Sequence, residues 1–247
     1  MQIMFIGPAG SGKTSLTAKF GEWLEKEGFR VAYINLDPGC LSLPYEPGFD
    51  VRSYFTVRGL MERENLGPNG AMVKASELMQ ENIDKFLREV EKLDGDFKLI
   101  DTPGQSEIFV FRSAGPSITK GFNAKAPTVG VYIIDPALAE TPTSLTSVLS
   151  LAVASQLRLG IPFITILNKA DEIKGGDPTL FDFDILRERV AGEGAGSVTD
   201  LAMNMIEALK PLTLAQRLIK VSAKTGEGMV QLFDAIHESL CECGDLT

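Results

Sequence analysis

A short apolar stretch, residues 2–6, leads directly into the glycine-rich segment "GPAGSGKT", and this junction constrains the fold of the 247-residue chain more than any other feature. Gly7, Gly12, Lys13 and Thr14 match the spacing G-x-x-x-x-G-K-[ST]. The spacing requires a strand, a tight loop and a helix in succession, because the loop turns backbone N–H groups inward while the helix adds its positive end. The segment therefore predicts a phosphate-binding loop in an α/β protein.

The rest of the chain alternates short apolar runs with longer helical patterns. The apolar runs cover residues 2–6, 31–36, 97–100, 129–134, 163–168 and 218–222. They are nearly continuous in hydrophobicity, which is typical of strands covered by helices on both faces. The helical patterns cover residues 13–27, 75–93, 142–159, 182–190, 198–210 and 228–240. We therefore expect an α/β fold with a mainly parallel sheet flanked by helices.

The chain length fits a single domain over residues 1–247. Residues 38–74 break the alternation, with four prolines and five glycines and without a long periodic pattern. An irregular segment of this length inside a compact domain is usually functional or mobile. We expect an insertion there.

Two motifs predict how phosphates and a metal are held. Lys13 is expected to reach the β- and γ-phosphates, and the Thr14 hydroxyl to ligate Mg²⁺. In "LIDTPGQ" an apolar strand ends at Asp101, which can hold Mg²⁺ through water, and Gly104 frees a backbone N–H for a γ-phosphate. Four further loop residues are expected to contact the nucleotide: Gly10, Ser11, Gly12 and Ser15.

The base is predicted by "NKAD", residues 168–171, which follows the apolar run "FITIL". Guanine presents N1–H and N2–H₂ as adjacent donors, and the Asp171 carboxylate can accept from both, whereas adenine lacks that pair. Asn168 can hydrogen-bond near the base and Lys169 can pack over it. "VSAK" adds a last loop, Ser222 and Ala223, where the Ala223 N–H would meet the base O6.

Together these motifs resemble those of the P-loop GTPases. The segment "NLDPG", at the end of the second apolar run, is similar to a segment of the branch that includes the signal-recognition-particle GTPases. "NLDPG" ends a compact strand–helix–strand unit. Such a unit predicts that its second strand runs parallel to the first. The resemblance implies that Asp37 lies near the γ-phosphate, the Mg²⁺ shell or the attacking water.

Within that branch, Gly67-Pro68-Asn69 resembles the GPN-loop GTPases. The resemblance implies a homodimer in which each loop reaches into its partner's active site and Asn69 contacts the phosphate end. Some relatives of the wider class carry an additional lysine at the second position of the phosphate loop for use across a dimer. Here that position is Pro8, so Asn69 is the candidate for help supplied in trans.

Hydrolysis of GTP is the leading hypothesis, with Gln105 and Glu107 expected to orient water and catalysis resting on positioning and electrostatics. His237, the only histidine, lies in the last helical pattern and is expected on a helix surface. Two alternatives stay open: a P-loop kinase with a small-molecule or polynucleotide acceptor, and a nucleotide-controlled assembly factor for which hydrolysis is a timer. The resemblance suggests partners in protein-complex assembly, without naming a client.

The charge balance bears on partners. The net charge of −9 disfavours a broad nucleic-acid-binding face and an anionic membrane surface. Only three cysteines occur, Cys40, Cys241 and Cys243, which suits a reducing cytoplasm. The sequence leaves the role of the last two cysteines open.

Overall fold

The computed structural model describes residues 1–173, 182–213 and 218–241, and the side chains of all of these except 212, 213 and 241. Within this part of the chain, seven strands form one sheet in the order β3-β2-β4-β1-β5-β6-β7, and every neighbouring pair is parallel. The strands are β1 Gln2–Ile6, β2 Val31–Asn35, β3 Phe49–Asp50, β4 Phe97–Asp101, β5 Thr128–Ile134, β6 Phe163–Leu167 and β7 Ile219–Lys220. The expected parallel α/β sheet is confirmed.

Ten helices are described around this sheet. They are α1 Lys13–Lys26, α2 Val57–Glu64, α3 Pro68–Glu81, α4 Ile83–Glu91, α5 Ser106–Phe111, α6 Ala114–Asn123, α7 Pro142–Leu159, α8 Phe183–Gly192, α9 Ser197–Thr213 and α10 Met229–Cys241. None of the described helices is long and apolar enough to cross a membrane. His237 is exposed on α10, as expected.

The core lies on both faces of the sheet, which explains the unbroken hydrophobicity of the central strands. All five residues of β1 and all seven of β5 are buried. One face packs against α1 and α10, and the other against α2 to α9. Because all strands run in one direction, the loops that follow β1, β2, β4, β5, β6 and β7 open at a single edge, where ligands bind in such sheets.

The reading of residues 38–74 as irregular was wrong. The segment contains β3, α2 and the first part of α3. Thr56 caps α2 by accepting from the Gly59 N–H at 3.0 Å, and Pro68 begins α3 at a position where its missing N–H costs nothing. The glycines and prolines between residues 38 and 70 lower the local helix propensity, and for this reason no helix was predicted there before residue 75.

Two further differences concern helices. The single helix expected over 75–93 is two helices, α3 and α4, that meet at Asn82. The helices α5 and α6 were not expected, because "RSAGPS" between and within them has the composition of a turn. α6 is held by burial of Ile118 and Phe122 in the core, a tertiary contact that overrides weak local propensity.

Candidate functional site

The phosphate loop lies between β1 and α1, as predicted. Gly10 and Gly12 have φ of +79° and +91°, the left-handed region that favours glycine. Gly12 also has no room for a side chain, because a Cβ there would lie 2.5 Å from Asn168 Nδ2. The backbone geometry of the loop thus requires glycine at two positions, and at Gly12 a neighbouring loop also excludes a side chain.

Lys13 lies folded over the phosphate loop and is 5% exposed. Its Nζ donates to the carbonyl oxygens of Gly7 at 2.7 Å, Pro8 at 3.0 Å and Gly104 at 3.1 Å. Burial lowers the pKa of Lys13, and nearby carboxylates, first that of Asp101, counteract this effect. The ammonium group therefore already joins the phosphate loop to the segment that follows β4.

Asp101 ends β4 and is fully buried. Burial raises its pKa to about 6, while the nearby Thr14 hydroxyl and the hydrogen bond from Tyr45 act in the opposite direction. Its Oδ2 accepts from the Tyr45 hydroxyl at 3.0 Å, whereas Oδ1 is buried without a hydrogen-bond partner among the described residues. An unpartnered buried carboxylate oxygen is costly by itself and calls for a ligand.

The side-chain oxygens of Thr14 and Asp101 fit Mg²⁺ chemically. The ion prefers oxygen ligands and keeps several waters, so it is held by one or two protein groups plus phosphates rather than by a full protein cage. The described residues contain no cluster of three or more His, Cys, Asp or Glu side chains that could hold a metal. The Thr14 hydroxyl and the free Oδ1 of Asp101 are oxygens of the expected kind.

Asp37 links the turn after β2 to the turn after β4. Its Oδ1 accepts from the Gly39 N–H at 2.8 Å and its Oδ2 from the Gly104 N–H at 3.1 Å. Burial raises the pKa of Asp37, although both backbone donors lower it. The N–H that the sequence assigned to a γ-phosphate is thus engaged by a carboxylate of the protein itself.

Gln105 and Glu107 lie at the start of α5, Gln105 partly buried at the N-cap and Glu107 exposed in the first turn. The Glu107 carboxylate is close enough to Lys13 to act on its pKa. Both residues therefore lie at the end of the turn that contains Gly104, and the Glu107 carboxylate is on the side of Lys13.

The loop with "NKAD", which the sequence predicts to read the base, follows β6 and is hydrogen-bonded to the phosphate loop. Asn168 is 1% exposed, and its Nδ2 donates to the Ser11 carbonyl at 2.9 Å while its Oδ1 accepts from the Ala223 N–H at 3.3 Å. Its role is therefore to join three loops. The sequence assigned Asn168 to the neighbourhood of the base and gave no sign of this bridge.

Lys169 and Asp171 are held by partners on other loops. Lys169 adopts φ of +56°, and its Nζ pairs at 2.7 Å with Oδ2 of Asp135, which follows β5. Asp171 Oδ1 accepts from the Ser222 hydroxyl at 2.6 Å, and this bond is the main reason that its pKa is lowered. The carboxylate is therefore ionised and oriented before any base arrives. Asp135 and Tyr45 are site residues that the motifs did not reveal.

The bridge at Asn168 predicts a measurable loss of stability. Asn168→Ala leaves the Ser11 carbonyl and the Ala223 N–H without their partner, so the free energy of unfolding of the nucleotide-free protein should fall by about 2 kcal/mol. Urea unfolding measures this value. Asn204→Ala, which removes an exposed amide from α9, is the control and should change it by less than about 0.5 kcal/mol. An equal small change in both variants would contradict the bridging role.

The tripeptide Gly67-Pro68-Asn69 is exposed at the start of α3. Gly67 is the N-cap of α3. Its carbonyl oxygen accepts the first backbone hydrogen bond of the helix, from the Ala71 N–H at 2.9 Å. Asn69 and Gly70 precede that residue, so their N–H groups lack an intrahelical acceptor by position. Met72, less than one turn later, packs near Gly39, which places the tripeptide on the same side of the molecule as Asp37.

Comparisons with known proteins cover nearly the whole chain. A family model described as "Conserved hypothetical ATP binding protein" matches residues 5–242. The chain is 40% identical over 258 residues to GPN-loop GTPase PAB0955 of Pyrococcus abyssi, covering 100% of both. It is 32% identical over 253 residues to GPN-loop GTPase 1 of Saccharomyces cerevisiae, covering 97% of this chain and 66% of that protein. The crystal structure of PAB0955 from Pyrococcus abyssi, a GTPase in apo form, superposes on this chain with a TM-score of 0.88 at 35% identity, covering 98% of each chain.

Proposed function

The chain belongs to the GPN-loop GTPase family, and from that membership we propose that it works as a Mg²⁺-dependent homodimer with Asn69 acting across the interface. Its activity as a GTPase and its binding of guanine nucleotides follow from the family. The proposal also treats residues 1–247 as one domain in which 38–74 is an insertion carrying the tripeptide.

The choice of GTP over ATP rests on one observation: Asp171, ionised and oriented by Ser222, stands where the motif N-K-x-D predicts the reader of guanine. The description of the family model mentions ATP binding, but the relatives at 40% and 32% identity are both named GTPases. We follow the relatives, because a carboxylate facing adenine would lack the two adjacent donors that guanine offers. Asn168, Lys169 and Ala223 complete the proposed base site.

Thr14 and Asp101 would hold Mg²⁺, with Asp37 close to its shell. The ion would neutralise charge on the β- and γ-phosphate oxygens. Thr14 would contribute its hydroxyl, and Asp101 would accept from a metal-bound water through the buried Oδ1. Removal of Mg²⁺ with EDTA should therefore weaken GTP retention, whereas the bonds to the base would remain.

Binding of GTP would exchange internal bonds for bonds to phosphate. Lys13 would leave the loop carbonyls for the β- and γ-phosphates, and the Gly104 N–H would leave Asp37 for the γ-phosphate. Backbone donors of residues 10–15 would surround the phosphates. Asp37, once released, would stand with Gln105 and Glu107 beside the water that attacks the γ-phosphate, and these groups would orient it.

The trans role of Asn69 is supported by exposure and by chemistry. The tripeptide is exposed at the N-terminus of a 14-residue helix, where N–H groups and the helix dipole favour anions. A second copy can therefore present this end to the phosphates of the first. Because Met72 keeps the tripeptide on the side of its own phosphate site, a cis contact is the competing arrangement that an experiment must exclude.

Release of phosphate from GTP with no acceptor present tests the proposed reaction. Phosphate should appear with GTP and Mg²⁺, and should fall to background with ATP or with EDTA. A phosphorylated acceptor in product analysis would favour the kinase alternative, which neither reported relative supports by name. Light scattering of the purified protein should give twice the chain mass of 26.8 kDa. A monomer in every nucleotide state would contradict the dimer.

A role in controlled assembly of protein complexes is the broader proposal, and it rests on the family alone. If GTP state sets a binding surface, immobilised protein loaded with a non-hydrolysable GTP analogue should retain partners that the GDP form does not. Identical capture by the two forms would contradict the proposal. The printed names of the relatives specify no client.

Asp171→Asn tests the base assignment. Its amide keeps one acceptor for N1–H but presents a donor to N2–H₂, so GTP affinity should fall roughly 100-fold. Xanthine carries an oxygen in place of that amino group, so affinity for XTP should rise. Competition for a fluorescent nucleotide measures both. A variant that still prefers GTP strongly would show that "NKAD" does not read the base.

A further inference from the structure

Tyr45 is a site residue that no motif identified. It lies between β2 and β3, and its hydroxyl donates to Asp101 Oδ2 at 3.0 Å. Asp101 is fully buried, and its other oxygen, Oδ1, has no hydrogen-bond partner among the described residues. One oxygen of this carboxylate is thus occupied by a neutral donor, and the other is left for a ligand.

The Tyr45 ring is held in place by a second tyrosine. It stacks on Tyr33 of β2 with 4.9 Å between ring centroids and 15° between the planes. Tyr33 in turn lies against α1 at Gly21, where a Cβ would come within 2.2 Å of the Tyr33 hydroxyl oxygen. Pro44 and Pro47 flank Tyr45 in sequence and restrict the backbone on both sides. The hydroxyl is therefore aimed by packing.

We propose that Tyr45 is a positioning residue for the metal site: its hydroxyl holds Asp101 Oδ2 so that Oδ1 is the oxygen presented to a metal-bound water. The inference rests on the proposed role of Asp101. A carboxylate that can rotate about its Cβ–Cγ bond presents either oxygen, and a hydrogen bond to one of them fixes which oxygen faces the ion. Because a phenol is neutral, it orients Asp101 without cancelling the charge that attracts Mg²⁺.

The opposite possibility is that Tyr45 occupies Asp101 only in the nucleotide-free protein and must leave when the metal binds. The two cases predict opposite changes in Mg²⁺ affinity when the hydroxyl is removed. If the hydroxyl positions Asp101, its removal weakens Mg²⁺ binding. If the hydroxyl competes with the metal, its removal strengthens Mg²⁺ binding.

The test is Tyr45→Phe, which keeps the ring stack on Tyr33 and removes only the hydroxyl. Dissociation of a fluorescent GDP analogue is measured over a series of free Mg²⁺ concentrations and in EDTA. The Mg²⁺ concentration that gives half-maximal retention should rise about tenfold, while the rate in EDTA stays that of the wild type. Tyr54→Phe is the matched control, because Tyr54 donates to Glu89 of α4 and is a phenol outside the metal site.

A double-mutant cycle with Asp101→Asn shows whether Tyr45 acts through Asp101. If it does, Tyr45→Phe should shift the Mg²⁺ requirement much less in the Asp101→Asn background than in the wild type. Equal shifts in both backgrounds, no shift, or a lower Mg²⁺ requirement in Tyr45→Phe would each overturn the inference while leaving the metal site standing. A wild-type protein whose nucleotide retention ignores Mg²⁺ would instead refute the proposed metal site and this inference with it.

Discussion

Lys13→Ala is expected to weaken GTP binding by roughly 100- to 1000-fold and to abolish hydrolysis at ordinary substrate concentrations. A hydrogen bond to a charged group contributes about 1.5–3 kcal/mol, and Lys13 is expected to make such bonds to two phosphates. Equilibrium titration with a fluorescent GTP analogue measures the loss. This prediction carries the assignment of the phosphate loop.

The structure sharpens the prediction, because Lys13 also acts in the nucleotide-free protein. Its Nζ joins Gly7, Pro8 and Gly104. Removal of the ammonium group would leave those carbonyls without their donor, so a loss of folding must be separated from a loss of binding. Urea unfolding without nucleotide makes that separation.

Lys26→Ala is the matched control. Lys26 is exposed at the last turn of the same helix, about 20 Å from Lys13 at 1.5 Å per residue. Its removal should leave GTP affinity within a factor of two. Near-wild-type GTP affinity in Lys13→Ala would contradict the phosphate-loop assignment. Equal losses of GTP affinity in both variants would indicate a general effect on α1.

Asn69→Ala is expected to lower the rate of hydrolysis about 100-fold, close to 3 kcal/mol, while GTP affinity changes much less. This size is typical for removal of one amide that donates to charge developing in the transition state. Single-turnover hydrolysis measures the rate, and nucleotide titration measures the affinity. Asn204→Ala on α9 serves as the control for removal of an exposed amide.

Mixed dimers decide between the trans and cis arrangements. One subunit carries Lys13→Ala and the other Asn69→Ala, and two different affinity tags isolate the heterodimer. In a trans arrangement, the only subunit that binds GTP is the one with Asn69→Ala, and it receives an intact Asn69 from its partner. About half of the wild-type dimer's activity should then return.

A cis arrangement gives a different result from the same heterodimer. The subunit that binds GTP would keep its own defective tripeptide, and activity would stay near that of Asn69→Ala alone. An inactive heterodimer, isolated and shown to be intact, would therefore refute the trans role. An unchanged rate in the Asn69→Ala homodimer would remove Asn69 from catalysis altogether.

The sequence by itself determined the parallel α/β fold and the place of the predicted phosphate loop between β1 and α1. These features depend on local backbone conformation and on the burial pattern of single strands, and both can be inferred from the residue types. Gly10 and Gly12 adopt positive φ, and the continuous apolar runs of β1 and β5 require cover on both faces. Motif order along the chain then placed the phosphate and base loops at one edge, because parallel strands all end there.

Only the tertiary structure decided which groups hold the motif residues in place. Asn168 bridges Ser11 and Ala223, Tyr45 reaches Asp101, and Asp37 reaches Gly104, each across a separation of 55 to 157 residues. Such pairs depend on the strand order, in which β4 lies between β2 and β1. α2 and α3 also depend on tertiary structure, because they bury Leu60, Ala71 and Ala75 in the core. Burial against distant elements outweighs the weak local helix preference of this glycine- and proline-containing segment.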